Sequence, residues 1–201
     1  MAAPFQTWLS KASLVIGIVF ITFLISACRS EPPAFQGSDI SDTDLGQDLA
    51  MVDNNGNLLT LADFQDKVLL VFFGFTHCPD VCPTSIAQIA YAIELLDDDA
   101  DQVQVVMITV DPERDTPEIL HNYVTAFHPS FMGLSGSAEQ LAKTAQSFRA
   151  FYVKVPGKNP DDYTMDHGSS IYLLDKQGKA RVLLPSQAPA DAIAHDLQLL
   201  L

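Results

Sequence analysis

Cysteine is scarce in this chain: there are three in 201 residues. That excludes a disulfide framework as the source of its stability. None is needed, because a domain of about 150 residues already buries roughly two-thirds of the surface its unfolded chain exposes. Basic residues are also few, 11 Lys and Arg against 25 Asp and Glu, for a net charge of −14. So acidic a surface argues against nucleic acid as a partner and fits a soluble domain or one that meets a basic partner. There is no phosphate loop, dinucleotide fingerprint or Ser–His–Asp grouping, and no internal repeat. The length leaves room for one ordinary domain plus a leader.

The one long apolar run, "ASLVIGIVFITFLISA", occupies residues 12–27 and follows a short stretch that carries Lys11 and no acid. It is short for a spanning helix, which needs about 20 apolar residues, and suits a secretory signal. It ends Ile25-Ser26-Ala27-Cys28, which resembles a bacterial lipobox. On that reading residues 1–27 are removed and Cys28 becomes a lipidated N-terminus. The alternative is an uncleaved membrane anchor. Either places the rest of the chain on a membrane tether outside the cytoplasm, at the periplasmic face of a bacterial envelope. Residues 28–48, rich in Pro, Gly, Ser and Asp, are expected to be a flexible tether, and residues 49–201 the folded domain.

Within 49–201 the pattern predicts an α/β open sheet with covering helices. Asn54-Asn55-Gly56 between two short apolar runs signals an N-terminal β-hairpin. "KVLLVFFGF" (67–75) reads as a buried central strand. Residues 83–96 have helical spacing, with Pro83 suited to the first helical position. A strand at 102–111 follows, then a helix at 116–127 opened by Thr116-Pro117, a strand at 131–136, and a helix whose Ser137 and Gln140 form a capping box. A strand at 150–155 continues the sheet. A second hairpin (169–175 and 180–184) and a terminal helix close the chain.

"GFTHCPDVCPTS" (74–85) falls where the central strand meets its helix, the end at which open sheets bind ligands. Both Cys78 and Cys82 precede prolines, and such residues avoid helical backbone. Cys82 is therefore expected at the N-cap, with Cys78 in the loop folded over it. A helix N-terminus favours the thiolate and lowers the thiol pKa. The pair then suits either a redox disulfide or a soft metal.

A metal site needs a further ligand. His121, His128 and His195 read as solvated surface, and His77 as a residue that tunes the thiol or caps its loop. His167 is different. It sits in "YTMDHGSS", just before the strand "IYLLD". In a thioredoxin-like topology that strand lies beside the motif strand, and its leading loop faces the cysteines. Two thiolates and an imidazole suit copper, since thiolates favour Cu(I) and imidazole accepts Cu(I) or Cu(II). A structural zinc would want a fourth ligand, for which Asp166, Met165 or water is available.

At these residues the chain resembles the Sco/SenC family of thioredoxin-fold, membrane-tethered copper proteins. "FFGFTHCPDVCPTS" matches that family's Cys-x3-Cys loop, "ITVDPERDTPE" (108–118) its second signature, and "DHGSSIYLLD" (166–175) its histidine segment. The resemblance implies a thioredoxin-like fold, with a central mixed β-sheet flanked by α-helices and an extra N-terminal β-hairpin. It implies copper held by Cys78, Cys82 and His167, with Asp111 ordering a loop near the site. It further implies a role in assembling the CuA centre of cytochrome c oxidase subunit II, by delivering copper, by reducing the acceptor's cysteines with the help of a periplasmic thiol reductant, or both. Thioredoxins carry a proline facing the cysteine pair; this chain has none between Pro160 and Pro185, and His167 occupies that approach. The rival reading is a thiol–disulfide oxidoreductase, which needs the cysteines and not His167. A peroxidase lacks any arrangement dedicated to a peroxide.

Overall fold

A computed structural model describes residues 34–158 and 162–201. The leader, Cys28 and the start of the expected tether lie outside the described residues. Among the described residues, no helix is long and apolar enough to cross a membrane.

In chain order the strands are β1 (Ser38–Asp39), β2 (Ala50–Val52), β3 (Leu58–Thr60), β4 (Val68–Gly74), β5 (Val103–Thr109), β6 (Met132–Leu134), β7 (Tyr152–Pro156), β8 (Tyr163–His167), β9 (Ser170–Leu174) and β10 (Ala180–Pro185). The helices are α1 (Val81–Glu94), α2 (Pro117–Thr125), α3 (Ala138–Phe148) and α4 (Ala190–Gln198). A six-stranded sheet runs in the order β1-β10-β9-β4-β5-β6. Strands β4, β5 and β6 are parallel, whereas β9 pairs antiparallel with β4, and β10 antiparallel with β9. The sheet is therefore mixed, and the strand after His167 lies beside the motif strand, as the sequence predicts.

Strand β4 is apolar on both faces because both are covered. Val68, Leu70 and Phe72 pack with Ile86, Ile89 and Ile93 of α1, Leu120 of α2 and Ile193 of α4. Leu69, Val71 and Phe73 pack on the other side with Leu141 and Phe148 of α3 and Met51 of β2. The period of two sorts one strand between two cores. Strands β2 and β3 form the expected hairpin, a separate two-stranded sheet. The helix starts follow their local chemistry. Thr116 caps α2 by accepting from the Ile119 amide at 3.3 Å, and Ser137 with Gln140 closes a reciprocal capping box on α3.

Four expectations are corrected. The packed unit begins at Phe35, inside the segment expected as tether. There Phe35 packs against the core, Leu45 is buried, and β1 adds a strand to β10. Polar composition hid a segment that is held by backbone pairing. Second, β7 is not in the central sheet; it pairs with β8 in a two-stranded ribbon. Third, His167 ends strand β8 rather than sitting in a loop, and its register partner is Tyr152. The alternation of Tyr163, Met165 and His167 is a strand pattern too short to stand out. Fourth, α1 begins at Val81 with Asp80 as N-cap, so Cys82 and Pro83 both lie in its first turn. A proline is tolerated there because the first-turn amides have no helical partner in any case.

The N-terminal segment is fixed by one buried carboxylate. Asp196 of α4, fully buried, accepts from the Gln36 amide at 2.7 Å and the Gly37 amide at 2.8 Å. Replacing it by Ala strands two backbone donors, each costing about 1–3 kcal/mol when left unpaired away from water. Asp196→Ala is expected to lower the melting temperature and to speed amide exchange at residues 36–39, with exchange in β4 and β5 much less affected.

Candidate metal centre

Strand β4 ends at Gly74, and the chain turns through Phe75–Asp80 into α1. The first turn of α1 lies close against that strand end. A methyl group at Gly74 would meet the Cys82 Sγ at 3.1 Å and the Met107 Cε at 3.0 Å. Glycine is thus what lets the Cys82 sulfur settle against the sheet. Cys82 is buried, with 3 % of its surface exposed, while Cys78 is half-buried and both are free thiols. Cys78 Sγ accepts the Cys82 amide at 3.4 Å, so one cysteine caps the turn that carries the other.

Burial pushes the Cys82 thiol up to about 12, with the neighbouring Cys78 adding to the rise and the Phe75 backbone opposing it. This corrects the expectation of a thiol made acidic by the helix N-terminus. In so dry a place the loss of hydration of the charged form outweighs the helix dipole.

His167 comes from the far side. Its Nε2 stands 3.8 Å from the Cys82 Sγ. Its Nδ1 meets the Gly168 carbonyl at 2.9 Å. A carbonyl can only accept, so Nδ1 carries the proton and Nε2 presents its lone pair toward the sulfur. The buried Phe75 ring meets the imidazole edge-on at 5.8 Å and holds its plane. With metal–sulfur bonds of about 2.3 Å and metal–nitrogen bonds of about 2.0–2.1 Å, donors at 120° stand about 3.8 Å apart. The observed separation fits two donors to one ion, and equally the hydrogen bond that the Cys82 thiol gives to Nε2.

Cys78 and His167 share a cleft of about 280 Å³ with Phe75, Asp80, Met165 and Asp166. No cage is closed around it: among the described residues no three His, Cys, Asp or Glu side chains are drawn into a compact metal-holding group. The arrangement is an open pair of donors with a third, Cys78, on the wet side. Asp166 is exposed on β8, on the strand face opposite His167. Asp111 is buried and does not reach the sulfurs. Its carboxylate accepts from Tyr163 Oη at 2.9 Å and from Arg114 Nε. His77 is turned away, its Nδ1 3.1 Å from Thr76 Oγ and 3.9 Å from Asp115. His195, read as solvated surface, is half-buried with Nδ1 3.0 Å from Asp196.

A larger hollow of about 540 Å³ lies behind the ribbon, lined by Val110, Leu141, Tyr152 and Met165. Its charged groups are already engaged, Lys154 with Glu113 and Asp111 with Arg114, so it presents no converging free donors. The sequence reading passed over Phe75, Arg114 and Tyr163, which surround the site. Arg114 lies inside the segment "ITVDPERDTPE", and that position was the available signal.

Comparison with known proteins agrees with this geometry. The SCO2-like protein of Rickettsia felis is 36 % identical over 170 residues, covering 83 % of this chain and 83 % of that protein. The structure of Bradyrhizobium japonicum ScoI, solved with copper bound, is 39 % identical with a TM-score of 0.70 and covers 84 % of this chain and all 100 % of that one. Apo Sco1 of Thermus thermophilus is 40 % identical with a TM-score of 0.76, covering 86 % and 100 % of the two chains. The central mixed sheet with flanking helices is the thioredoxin-like fold of these structures. The SCO1/SenC family profile matches residues 37–201, nearly the whole packed unit with both cysteines and His167, and the chain belongs to that family.

Proposed function

We propose that this protein is a membrane-tethered copper metallochaperone that takes Cu(I) or Cu(II) as cargo through Cys78, Cys82 and His167. It serves the assembly of the CuA centre of cytochrome c oxidase. The observation that carries the reading is the 3.8 Å approach of the His167 Nε2 to the Cys82 sulfur, with Cys78 in the same cleft. Copper in a relative solved with the metal supports the choice of ion. The donor chemistry supports it independently: two sulfurs and one imidazole are soft enough for Cu(I), whereas a structural zinc would still need a fourth ligand such as Asp166, Met165 or water. Loading requires Cys82 to give up its proton, which bound metal brings about directly. Cys78 and His167 line the cleft with the buried Cys82 behind them, so an ion held by the three would lie where an acceptor can reach it. The reading of the leader supports the tether, by lipidation at Cys28 or by an uncleaved anchor, on the periplasmic side of a bacterial envelope.

A second reading, disulfide exchange with an acceptor, is favoured by the two free cysteines within one turn of each other. In it the half-buried Cys78, the more accessible of the two, attacks the acceptor's disulfide. Cys82 then displaces it, so that the acceptor gains two electrons and two protons and Cys78–Cys82 becomes a disulfide. A periplasmic thiol reductant would restore the pair.

Titration of the reduced full-length chain against a competing Cu(I) chelator is expected to show one tight site. His167→Ala should weaken it by about 100-fold, the upper end of what loss of a merely supporting residue gives. Unchanged affinity would overturn the three-ligand reading. Reduction of an oxidised CuA-domain peptide that survives in the same variant would favour the second.

Gly74→Ala tests the packing beneath the site. The added methyl forces Cys82 or Met107 to give way, at about 1–3 kcal/mol for an overpacked core position. Thermal unfolding should report that loss, and the Cu(I) titration a weaker site with unchanged stoichiometry.

A further inference from the structure

We propose that the loop Asp111–Asp115 is a bracket that sets the distance between the cysteine loop and His167, with Arg114 as its positioning residue. The inference rests on the three-ligand reading above and adds what holds those ligands in register.

The need for a bracket follows from the topology. Among the described residues, the ribbon β7–β8 that carries His167 pairs with itself and joins no strand of the central sheet. A two-stranded ribbon has little independent stability, so beyond its chain connection to β9 and the backbone bonds at its base, from the Gly168 amide to the Phe151 carbonyl and from the Ser186 amide to the Ser169 carbonyl, its position depends on side chains. The contacts converge on one loop. Arg114 donates from Nη1 to the Tyr163 carbonyl at 3.0 Å and from Nε to the Asp111 carboxylate. Tyr163 donates its hydroxyl to the other oxygen of Asp111 at 2.9 Å. The Arg114 guanidinium lies 3.7 Å from the centre of the Tyr163 ring, and Lys154, paired with Glu113 at 2.6 Å, lies 3.9 Å from the same ring. Tyr163 and His167 are four residues apart on one strand, and so project from the same face.

The other end of the loop holds the cysteines. Asp115 is fully buried, accepting from the Thr76 amide at 3.0 Å, the Thr76 hydroxyl at 2.5 Å and the Thr109 hydroxyl at 2.6 Å. Thr76 is two residues before Cys78. The Asp115 amide donates to the Asp111 carbonyl at 2.9 Å and closes the loop on itself. A five-residue segment is thus pinned to the cysteine loop at one end and to the histidine ribbon at the other. Arg114 also stands 6.0 Å from the Phe75 ring, which in turn abuts the imidazole. Among the described residues its Nη2 is buried without a partner, and the guanidinium is held by stacking and by two hydrogen bonds. Lysine cannot reproduce this, since it has no planar fork to stack and to reach two acceptors at once.

The test is a cycle of variants in the full-length chain with Cu(I) as probe. Arg114→Lys and Tyr163→Phe, the latter removing one hydroxyl only, should each lower Cu(I) affinity about tenfold. They should also shift the thiolate-to-copper charge-transfer band of the Cu(II) form. In a His167→Ala background neither should lower affinity further, because the bracket acts through the imidazole. The Cys78–Cys82 reduction potential should not move. Unchanged affinity and an unmoved band in both variants, with His167→Ala still weakening binding, would overturn the bracket and leave the copper reading standing. An equal loss with and without His167 would also overturn it, by showing an effect on the fold or the thiols. His167→Ala without effect would instead remove the three-ligand reading on which the bracket rests.

Discussion

The contact between Gly74 and the Cys82 sulfur decides most of what this site can do. A helix that follows a buried parallel strand is ordinarily held off the strand end by a side chain there. With none at Gly74, the first turn of α1 closes on the sheet and takes Cys82 below the surface. Everything else at the site responds to that depth. The thiol is desolvated and kept protonated, Cys78 is left on the wet side of the cleft, and a third donor can arrive only from above. The ribbon supplies it.

Two opposing electrostatic effects meet at Cys82. The unpaired amides of a helix N-terminus favour a thiolate, an effect worth up to about 2 kcal/mol in partly buried positions. Burial disfavours it, and can move a fully buried group by about 3–5 pKa units. Burial wins here. The consequence separates metal capture from general thiol reactivity. A thiol that stays protonated in water-like conditions is a poor nucleophile and a poor leaving group. A soft cation nonetheless displaces its proton, because the metal–sulfur bond replaces the missing hydration. The buried cysteine is better matched to a metal than to exchange chemistry, and the half-buried one serves either.

Much of this was legible in the sequence. Val68 to Phe73 announced a strand covered on both faces, Thr116-Pro117 and Ser137–Gln140 announced their helices, and Cys78, Cys82 and His167 were brought together as one set by an expected thioredoxin-like topology and the family resemblance. The signals were local and chemical: an apolar run, a cap, a cysteine at a strand-to-helix turn. What stayed hidden depended on distant partners. Ser38 and Asp39 are polar and form a strand only because β10 offers them a free edge. Tyr163–His167 pairs with Tyr152–Pro156; Tyr152–Pro156 was legible as a strand, but its partner is too short and irregular to show that the two would form a ribbon of their own. The thiol shift on Cys82 follows from depth, which residue spacing does not encode. Arg114 lay in a segment already marked as a signature, yet its partner Tyr163 is 49 residues away.

On the proposed reading the three donors are divided between two elements of the fold, which would suit an ion that must leave. Cys78 and Cys82 ride on the loop and first turn tied to β4, which is buried through its length. His167 rides on a ribbon outside the sheet, fastened by one loop and by the backbone bond from Ser186 to Ser169 at its base. A site built wholly on the sheet would hold its donors more tightly, but releasing the ion would mean disturbing the core. On the proposed three-ligand reading, withdrawal of the imidazole with its ribbon would leave β4 and α1 in place. An ion so released from His167 would rest on two thiolates, a coordination that favours Cu(I), with the half-buried Cys78 on the side an acceptor thiolate would reach. A ribbon paired within itself and clasped to the domain by side chains, rather than paired into the central sheet, would make that order of events mechanically available.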